Sequence, residues 1–364
     1  MKMIPNINYF DEFIFKNEQE SIFKNTWLFA GLKSEIPKKN DFITFNVGKH
    51  SIILYNNGSD IKAFQNLCPH RFYRIFNTTK GNSSLTCGFH SWCFNGDGKN
   101  LSSIIKNNED LLSKFSLKEY PVNIIGDFVF FTFNEKTQIC SIEDQLGEIK
   151  YFLEDISLLI GKNIYTDELI HKCNWKFICE NVIDNIHCFS LHENTLMKLG
   201  YCNLKELKME KFNNNSIVTT PNKFKEEYKK RNIFLNKFIP RKLKTDVYQH
   251  AFIYPNLTVA IFEGLNITIG NILPITSETT NYKLSFYQSK LEENINVSKM
   301  TDNILNEMAK ETINFGNLVF EEDRVILEVL QSSIKEANHE GMIFESEDRI
   351  KWFFEAYLKT YNNG

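Results

Sequence analysis

Two short motifs in the first third of the chain each combine one cysteine with one histidine. One residue separates Cys68 from His70, two residues separate Cys87 from His90, and sixteen residues lie between the motifs. Loops that each supply a thiolate and an imidazole suit a two-iron, two-sulfur cluster, in which one iron takes two thiolates and the other takes two imidazoles. Imidazole lowers the negative charge at its iron and raises the reduction potential. We therefore predict that these four side chains are cluster ligands.

A zinc site with two cysteines and two histidines is the alternative for these motifs. Zinc ligands usually pair cysteine with cysteine and histidine with histidine at short spacing, whereas each motif here is mixed. The chain contains eight cysteines, and in a cytosolic protein such spacing indicates metal binding or catalysis before disulfides. The mixed motifs therefore favour the iron–sulfur cluster.

A second group of polar side chains lies among apolar ones in the segment that ends at His192. On a continuous helix, Glu180, Asp184 and His187 are spaced i, i+4 and i+7 and share one face. Apolar residues on the other sides predict a buried helix over 174–189, where such polar groups are costly unless they are paired or bind a metal. His187 and His192 are about 140° apart on an ideal helix, so both reach one metal only if the helix ends or bends between them. The alternative is two unrelated histidines, one in the core and one in a loop.

A metal held by these histidines needs a carboxylate if it is the two-histidine, one-carboxylate site that leaves iron positions open for O2. Three neighbouring acids, Glu321, Glu322 and Asp323, are the candidates. On a helix, Asp323 lies in the middle of an apolar stripe, Glu321 lies on the far side, and Glu322 lies at the rim. Asp323 is the favoured ligand, the other two stay open, and a buried ion pair is the alternative role for Asp323.

Hydrophobic patterns predict the elements that position these residues. Period-two alternation predicts short strands around the cysteine motifs, and later residues alternate between helical and strand patterns. Asn57-Gly58 is a hairpin signal, and Gly126-Asp127 marks a second turn. The predicted elements are an amphipathic helix over 9–30, strands within 41–66 and 121–133, helices over 141–160 and 174–189, strands over 247–254, 257–262, 267–272 and 282–287, and helices over 298–361. The simplest fold class is α+β, with an antiparallel sheet covered by helices.

Length and charge exclude several other classes of protein. A chain of 364 residues suits two domains. The net charge of −3 gives no sign of general attraction to nucleic acid or membrane. No stretch approaches the roughly 18 apolar residues that span a bilayer, and the N-terminal residues lack the apolar run of a secretory signal. We therefore expect a cytoplasmic protein.

In this order, the motifs resemble the terminal-oxygenase α subunit of the Rieske non-haem iron oxygenases, the aromatic-ring hydroxylases and related demethylases. The resemblance covers nearly the whole chain, from Trp27 to the late acidic helix. It implies an N-terminal helical segment over 1–40 that packs on the catalytic domain, an all-β Rieske domain over 41–135, and a helix-grip-like catalytic domain over 136–364. By resemblance, Cys68, His70, Cys87 and His90 hold the cluster, His187, His192 and Asp323 hold the iron, and Asp184 links the two centres across a subunit boundary in a homotrimer.

The chain departs from the family pattern at three positions beside the cluster ligands. Phe72 stands where relatives commonly have glycine after the arginine. Phe89 and Ser91 stand where tyrosine and glycine commonly flank the histidine. The ligands are intact, so we expect changed packing or potential rather than loss of the cluster. The chain is also similar to relatives that oxidise quaternary ammonium compounds, although in some of these the bridging acid is Glu and here it is Asp184.

The resemblance implies an O2-dependent enzyme that hydroxylates or oxidatively demethylates a small organic substrate. Electrons would pass through His90 and Asp184. The chain contains no G-x-G-x-x-G fingerprint after a strand, so the electrons would come from a separate NAD(P)H-dependent reductase, with a ferredoxin as a further candidate. The alternatives are a Rieske electron-transfer protein without oxygenase activity and a zinc-binding interaction module. The substrate is not readable from the sequence. Aromatic residues of the later strands suit an apolar or cationic molecule, but they suit a sheet core equally well: Phe252, Tyr254, Phe262 and Phe286.

Overall fold

The computed structural model describes residues 3–102, 114–134, 140–199, 206–221, 247–262, 266–290 and 299–363. The chain forms two compact units. The larger unit combines Met1–Glu18 with Leu146–Gly364, and the smaller unit is the contiguous stretch Gln19–Gln145. The predicted α+β class, with a β-rich domain before a domain built on a large antiparallel sheet, is confirmed. Among the described residues, no helix has both the length and the apolar character needed to cross a membrane.

The smaller unit consists of two antiparallel sheets. Its strands are β1 (Leu28–Leu32), β2 (Asp41–Val47), β3 (His50–Asn56), β4 (Ile61–Gln65), β5 (Lys80–Asn82), β6 (Glu119–Tyr120), β7 (Val122–Ile125) and β8 (Phe128–Phe131). One sheet has the order β5-β2-β3-β4-β6, and the other has the order β1-β8-β7. The three strands predicted within 41–66 and the pair predicted within 121–133 are therefore confirmed. Gly126 has a φ of 60° and makes the turn between β7 and β8, as the sequence predicted.

The predicted helix over 9–30 is wrong beyond Phe23. Helix α1 (Glu12–Glu18) is followed by a single π-helical turn, and the chain is then extended in β1. All five residues of β1 are buried, and the strand pairs with β8, so sheet pairing overrides the helical pattern. The sequence placed domain limits at residues 40 and 135, whereas the smaller unit extends to Gln145. Trp27 and Gln145 exchange hydrogen bonds of 2.8 and 2.9 Å between backbone and side chain, which joins the two ends of this unit.

The larger unit is a seven-stranded antiparallel sheet with helices packed against it. Its strands are β9 (Ile160–His171), β10 (Lys208–Phe212), β11 (Asn215–Pro221), β12 (Val247–Ile253), β13 (Leu257–Phe262), β14 (Asn266–Thr276) and β15 (Thr279–Ser289), in the order β10-β11-β12-β13-β14-β15-β9. Its further helices are α2 (Ile142–Leu146), which begins in the smaller unit, α3 (Ile149–Ser157), α4 (Trp175–Ile183), α5 (Leu196–Leu199), α6 (Lys299–Ser333) and α7 (Asp348–Asn363). The strands and the C-terminal helices predicted for this half are confirmed. Helix α4 packs against α6, α7 and β14.

A buried charge pair joins three distant parts of the larger unit. Lys176 Nζ on α4 lies 2.5 Å from Glu18 Oε1 at the end of α1, and both side chains are fully buried. Tyr357 on α7 donates a hydrogen bond of 2.8 Å to the same oxygen, and the Trp175 indole donates one of 2.8 Å to the other oxygen. These donors satisfy the carboxylate, so the N-terminal helix is fixed to the core by more than apolar contact.

Candidate metal centres

Two loops of the smaller unit bring the four predicted cluster ligands together. Cys68 and Cys87 are almost inaccessible to solvent, at 1% and 2% exposure, whereas His70 and His90 are exposed. The two imidazole rings lie 4.6 Å apart between centroids, and the His70 ring stacks on Trp92. Two buried sulfurs beneath two accessible imidazoles are the arrangement that a cluster with one thiolate iron and one imidazole iron requires.

The two loops close with the same hydrogen-bond pattern. In each loop the cysteine carbonyl accepts from the residue four positions later, and the cysteine N–H donates to the carbonyl five positions later. The bonds are Phe72 to Cys68 at 2.9 Å, Cys68 to Tyr73 at 2.8 Å, Ser91 to Cys87 at 3.0 Å and Cys87 to Trp92 at 2.8 Å. Phe72 and Ser91 occupy equivalent places and have positive φ values of 61° and 55°. These are two of the positions where the sequence departs from glycine, so the chain keeps a left-handed backbone there with side chains that disfavour it.

The environment of the Cys68 sulfur fits a metal ligand. Burial raises the pKa of the Cys68 thiol to about 11, while the backbone N–H groups of His70 and Arg71 donate to the sulfur and act in the opposite direction. A bound metal takes the thiolate form, and N–H groups that face the sulfur stabilise that charge. The donor set of two thiols and two imidazoles therefore fits the predicted cluster.

The helix that precedes the second centre is shorter than predicted. Helix α4 begins after Asn174, whose side chain accepts from the Lys176 N–H at 3.0 Å, and it ends at Ile183. Asp184 is extended, with φ −73° and ψ 127°, and its Oδ1 accepts from the Ile186 N–H at 2.7 Å. This local bond competes with continuation of the helix. The prediction of a continuous helix to about residue 189 is therefore wrong.

Glu180 consequently does not share a face with the two groups after it, which corrects the i, i+4, i+7 reading. Its carboxyl group is buried and accepts a hydrogen bond of 2.6 Å from the Tyr9 hydroxyl. Burial raises the pKa of Glu180 to about 8, although the Tyr9 hydrogen bond and the charge of Lys176 oppose the shift. Glu180 therefore belongs to the core beneath the site rather than to the site itself.

Three of the predicted iron ligands converge at the end of this helix. His187 begins a 3-10 turn, and its Nε2 lies 3.2 Å from Nε2 of His192. Asp323 Oδ1, from α6, lies 3.1 Å from the His192 nitrogen and 3.7 Å from the His187 nitrogen. For metal–ligand bonds of about 2.1 Å at right angles, neighbouring ligand atoms lie about 3.0 Å apart. The spacing of the three atoms therefore fits one face of an octahedral metal.

Each histidine has a carboxylate beside its other ring nitrogen. Asp184 Oδ2 lies 3.3 Å from Nδ1 of His187, and Glu322 Oε2 lies 2.7 Å from Nδ1 of His192. Thr195 donates a hydrogen bond of 2.9 Å to the same Glu322 oxygen. Metal-binding histidines commonly donate their second ring N–H to a carboxylate, which leaves Nε2 free for the metal. The arrangement therefore supplies both the ligand atoms and the groups that orient them.

The three neighbouring acids of α6 have separate environments. Glu321 forms two hydrogen bonds with Arg324, of 2.8 and 2.5 Å, on the outer face of the helix. Glu322 contacts His192, and Asp323 faces both Nε2 atoms. Burial alone would lower the pKa of His192, but the hydrogen bond and charge of Asp323, with Glu322, outweigh it and raise the pKa to about 9.

Two groups at this centre, Glu322 and Cys188, were not predicted from the sequence to belong to it. Glu322 was placed at the rim of the helix, and its contact with His192 spans 130 residues, which no local pattern indicates. Cys188 directly follows His187, and its sulfur lies within 4.8 Å of a ring nitrogen of each histidine. Asp323 Oδ1 lies 3.1 and 3.7 Å from the two Nε2 atoms, so it remains the favoured third ligand.

A cavity of roughly 630 Å³ opens beside these residues, within the larger unit. Its walls include His187, His192 and Asp323 on one side and alternate residues of the sheet on the other. Four aromatic residues were candidates for a pocket on the basis of the sequence. Two of them line the cavity, and the other two belong to the hydrophobic core. The lining residues are Phe262 and Phe286, and Phe252 and Tyr254 pack on Phe353. The volume suits a small organic molecule.

Comparison with known proteins gives results for both units. A family model described as the Rieske [2Fe-2S] domain matches residues 26–116, and one described as the ring hydroxylating alpha subunit (catalytic domain) matches residues 159–363. The glycine betaine monooxygenase oxygenase subunit of Pseudomonas aeruginosa is 28% identical over 199 residues, which are 54% of this chain and 46% of that protein. The anthranilate 1,2-dioxygenase large subunit of Acinetobacter baylyi is 32% identical over 197 residues, which are 50% of this chain and 40% of that protein. The chain thus spans about half the length of the curated relatives it matches.

Solved structures share the fold over nearly the full chain. The quaternary ammonium Rieske monooxygenase CntA, in complex with an inhibitor, has a TM-score of 0.81 at 21% identity, with 99% of this chain and 95% of that chain covered. Naphthalene 1,2-dioxygenase from Rhodococcus sp., bound to indole, has a TM-score of 0.75 at 16% identity, with 98% and 94% covered. At these identities the likeness is one of fold.

Proposed function

The chain belongs to the family of ring-hydroxylating alpha subunits, and from that premise we propose that it is the oxygenase component of a Rieske non-haem iron system. Membership of the family implies two cofactors, a Rieske [2Fe-2S] cluster and a mononuclear iron. The cluster supplies electrons when bound, and the iron is where O2 is activated. The reaction proposed is hydroxylation or oxidative demethylation of a small organic substrate.

One observation carries the proposal: two imidazole nitrogens and one carboxylate oxygen from distant parts of the chain converge beside a cavity. His187, His192 and Asp323 would hold the iron through these atoms, with one face left open. Glu322 and Asp184 would keep both rings in the orientation that presents Nε2. An electron carrier has no use for this second set of ligands, so the convergence favours an oxygenase over the electron-transfer alternative.

The proposed ligands of the cluster are Cys68, His70, Cys87 and His90. Asp184 is proposed to link this centre to the iron of a neighbouring subunit, in addition to its contact with His187. A homotrimer, a separate NAD(P)H-dependent reductase, a ferredoxin and a cytoplasmic location remain predictions from the sequence.

The substrate is proposed only as a class. By their names, relatives of this chain act on glycine betaine, carnitine, anthranilate and 2-halobenzoate. These compounds range from aliphatic to aromatic, and each of them bears a carboxylate. Mono- and dioxygenation are both represented, so the chemistry at the iron is not narrowed by the relatives.

Nitric oxide provides a test that needs no knowledge of the substrate. Anaerobically purified protein should give the electron paramagnetic resonance signal of a reduced Rieske cluster. Addition of nitric oxide should then give a separate signal from an open mononuclear ferrous site. The Asp323→Asn variant should lose the nitric oxide signal and keep the Rieske signal, because only the second centre loses a ligand. A colourless wild-type protein, or one without the nitric oxide signal, would refute the proposal.

A further inference from the structure

The wall of the cavity beside the proposed iron site includes a buried cation. Arg349, near the start of α7, is 1% exposed and lines the cavity wall. Its Nε donates a hydrogen bond of 3.0 Å to the Ser216 hydroxyl, and one Nη2 hydrogen reaches the His250 carbonyl at 3.3 Å. The other terminal nitrogen, Nη1, has no hydrogen-bond partner among the described residues. This lining arginine therefore retains two unused N–H donors on Nη1.

Arg349 also lacks a counter-charge within the described parts of the chain. Its described partners are a hydroxyl, an imidazole and a carbonyl, none of which is negatively charged. A fully buried cation without an anion is costly, and an apolar side chain of similar volume would be more stable there. Burial lowers the pKa of Arg349 to about 9, which still leaves the guanidinium charged at neutral pH. The missing partner is therefore an anion that comes from outside the described residues.

A neighbouring histidine adds a second donor. Nδ1 of His250 lies 3.2 Å from Nη2 of Arg349. Burial and the positive charge of Arg349 lower the pKa of His250 well below its usual range, so the ring is neutral. With Nδ1 accepting from the guanidinium, the single ring proton must lie on Nε2. His250 also lines the cavity, so the Nη1 donors of Arg349 and an imidazole N–H belong to neighbouring residues of its wall.

The charges of the other lining residues indicate where an anion would bind. Among the described residues of the wall, the acids are Asp184, Glu311 and Asp323, and Arg349 is the one permanently charged cation. Two of these acids belong to the proposed iron site. A bound iron would offset the charge of these two acids, so the guanidinium is the charged group of the described wall that attracts an anion, while the apolar part of a ligand lies along walls such as Phe286.

We propose that Arg349 is the carboxylate-binding residue of the substrate pocket and that the substrate is a small monocarboxylate. The two Nη1 hydrogens are the unused donors of the guanidinium, and a carboxylate oxygen that accepts from them forms a charge-assisted hydrogen bond. Held in this way, the acid group fixes the orientation of the substrate, and the rest of the molecule extends into the cavity. That the bound carboxylate is a substrate rests on the proposed function. The binding of a carboxylate by Arg349 can be tested without turnover.

Matched pairs of ligands test the proposal in the intact protein under anaerobic conditions. The probes are benzoate, cyclohexanecarboxylate and butyrate, each compared with its amide, which has nearly the same shape and no charge. Calorimetry should show that at least one acid binds the wild type about 10- to 100-fold more tightly than its amide. This preference should disappear in Arg349→Met. It should persist in Lys351→Met, which removes an exposed cation two residues further along the same helix.

Two further arms separate the possible explanations. Asp323→Asn should keep the preference for the acid, because the carboxylate binds the guanidinium and not the iron. Arg349→Lys, which keeps the charge without the guanidinium, should retain a reduced preference if Arg349→Met does not fold. The proposal is overturned if every amide binds as tightly as its acid, if no acid binds below about 10 mM, or if Arg349→Met keeps the preference. An arginine-dependent preference in a protein without the nitric oxide signal would instead refute the proposed function alone.

Discussion

Replacement of Glu322 by glutamine removes a charge beside the proposed iron site and leaves the proposed ligands in place. The carboxylate oxygen lies 2.7 Å from Nδ1 of His192, a ring that is 1% exposed, whereas the Glu322 side chain is 29% exposed. Glutamine has almost the same size and can still accept from the His192 N–H and from Thr195. The substitution therefore isolates the effect of the negative charge on the imidazole.

The magnitude follows from the role of such partners at metal sites. Loss of a group that orients a metal-binding histidine typically lowers metal affinity about 10- to 100-fold. Because a tenfold change is about 1.4 kcal/mol, this range is about 1.4 to 2.7 kcal/mol of binding free energy. Glu322 is partly exposed and glutamine keeps the hydrogen bond, so we expect a loss of about tenfold for Glu322→Gln.

The measurement is a titration of mononuclear iron against a competing chelator, with the nitric oxide signal as the readout. The Rieske signal of the same sample provides an internal standard, because that cluster is held by other residues. Glu321→Gln is the matched control, since it makes the same chemical change one residue earlier, at a side chain that pairs with Arg324. The control should bind iron as the wild type does.

Three results would refute this reasoning. If Glu322→Gln binds iron with wild-type affinity, the 2.7 Å contact with His192 does not support the metal. If Glu322→Gln loses iron completely while Asp323→Asn retains it, then Glu322 is the third ligand and Asp323 is not. Equal losses in Glu321→Gln and Glu322→Gln would indicate a general effect of charge on α6.

The backbone of Phe72, the burial of Glu180 and the carboxylates beside His192 each have a measurable consequence. Phe72 has a left-handed backbone, so Phe72→Gly should be at least as stable as the wild type. Phe72→Val should be less stable than the glycine variant by about 1–2 kcal/mol, as measured by thermal bleaching of the cluster. Equal stabilities of the two variants would contradict backbone strain at this position. Because the pKa of Glu180 rises from 4.5 when unfolded to about 8 when folded, its stabilising effect is present below pH 4.5 and is lost as the pH rises to 8. The free energy of unfolding should therefore fall less steeply over this range in Glu180→Gln than in the wild type, and parallel pH profiles would refute the shift. His192 has a pKa of about 9 without metal, so iron binding at pH 7 should release about one proton. The proton makes the calorimetric heat of iron binding depend on the ionisation enthalpy of the buffer. A heat of binding that is the same in every buffer would contradict this proton release.

The cluster loops could be predicted from the sequence because each one is local. Cys68 and His70 lie on one loop, and the hydrogen bonds that close this loop span at most five residues. The same is true of the loop with Cys87 and His90. Spacing alone therefore brings each thiol close to an imidazole, and only the meeting of the two loops depends on the rest of the fold.

The iron site could be predicted only in part. The helical position of Asp323 separated it from its neighbours, because a regular helix has a fixed period. The roles of Glu322 and Arg349 could not be predicted, because their partners His192 and His250 lie 130 and 99 residues away in the sequence. Only the packing of the sheet and helices brings these residues together. The end of α4 could not be predicted either, because it depends on one local hydrogen bond, from the Ile186 N–H to the Asp184 side chain.

The Glu18–Lys176 pair bears on the order in which the chain can fold. Its acid comes from the N-terminal helix, its amine from the middle of the sequence, and the Tyr357 hydroxyl that completes it from close to the last residue. During synthesis the contiguous stretch Gln19–Gln145 can fold before the rest of the chain is made. The larger unit contains both ends of the described chain, so its folding must wait until α7 has left the ribosome. A fragment cut at residue 146 would be deprived of Glu18 and would have to bury a lone ammonium ion, a loss on the order of 3–5 kcal/mol.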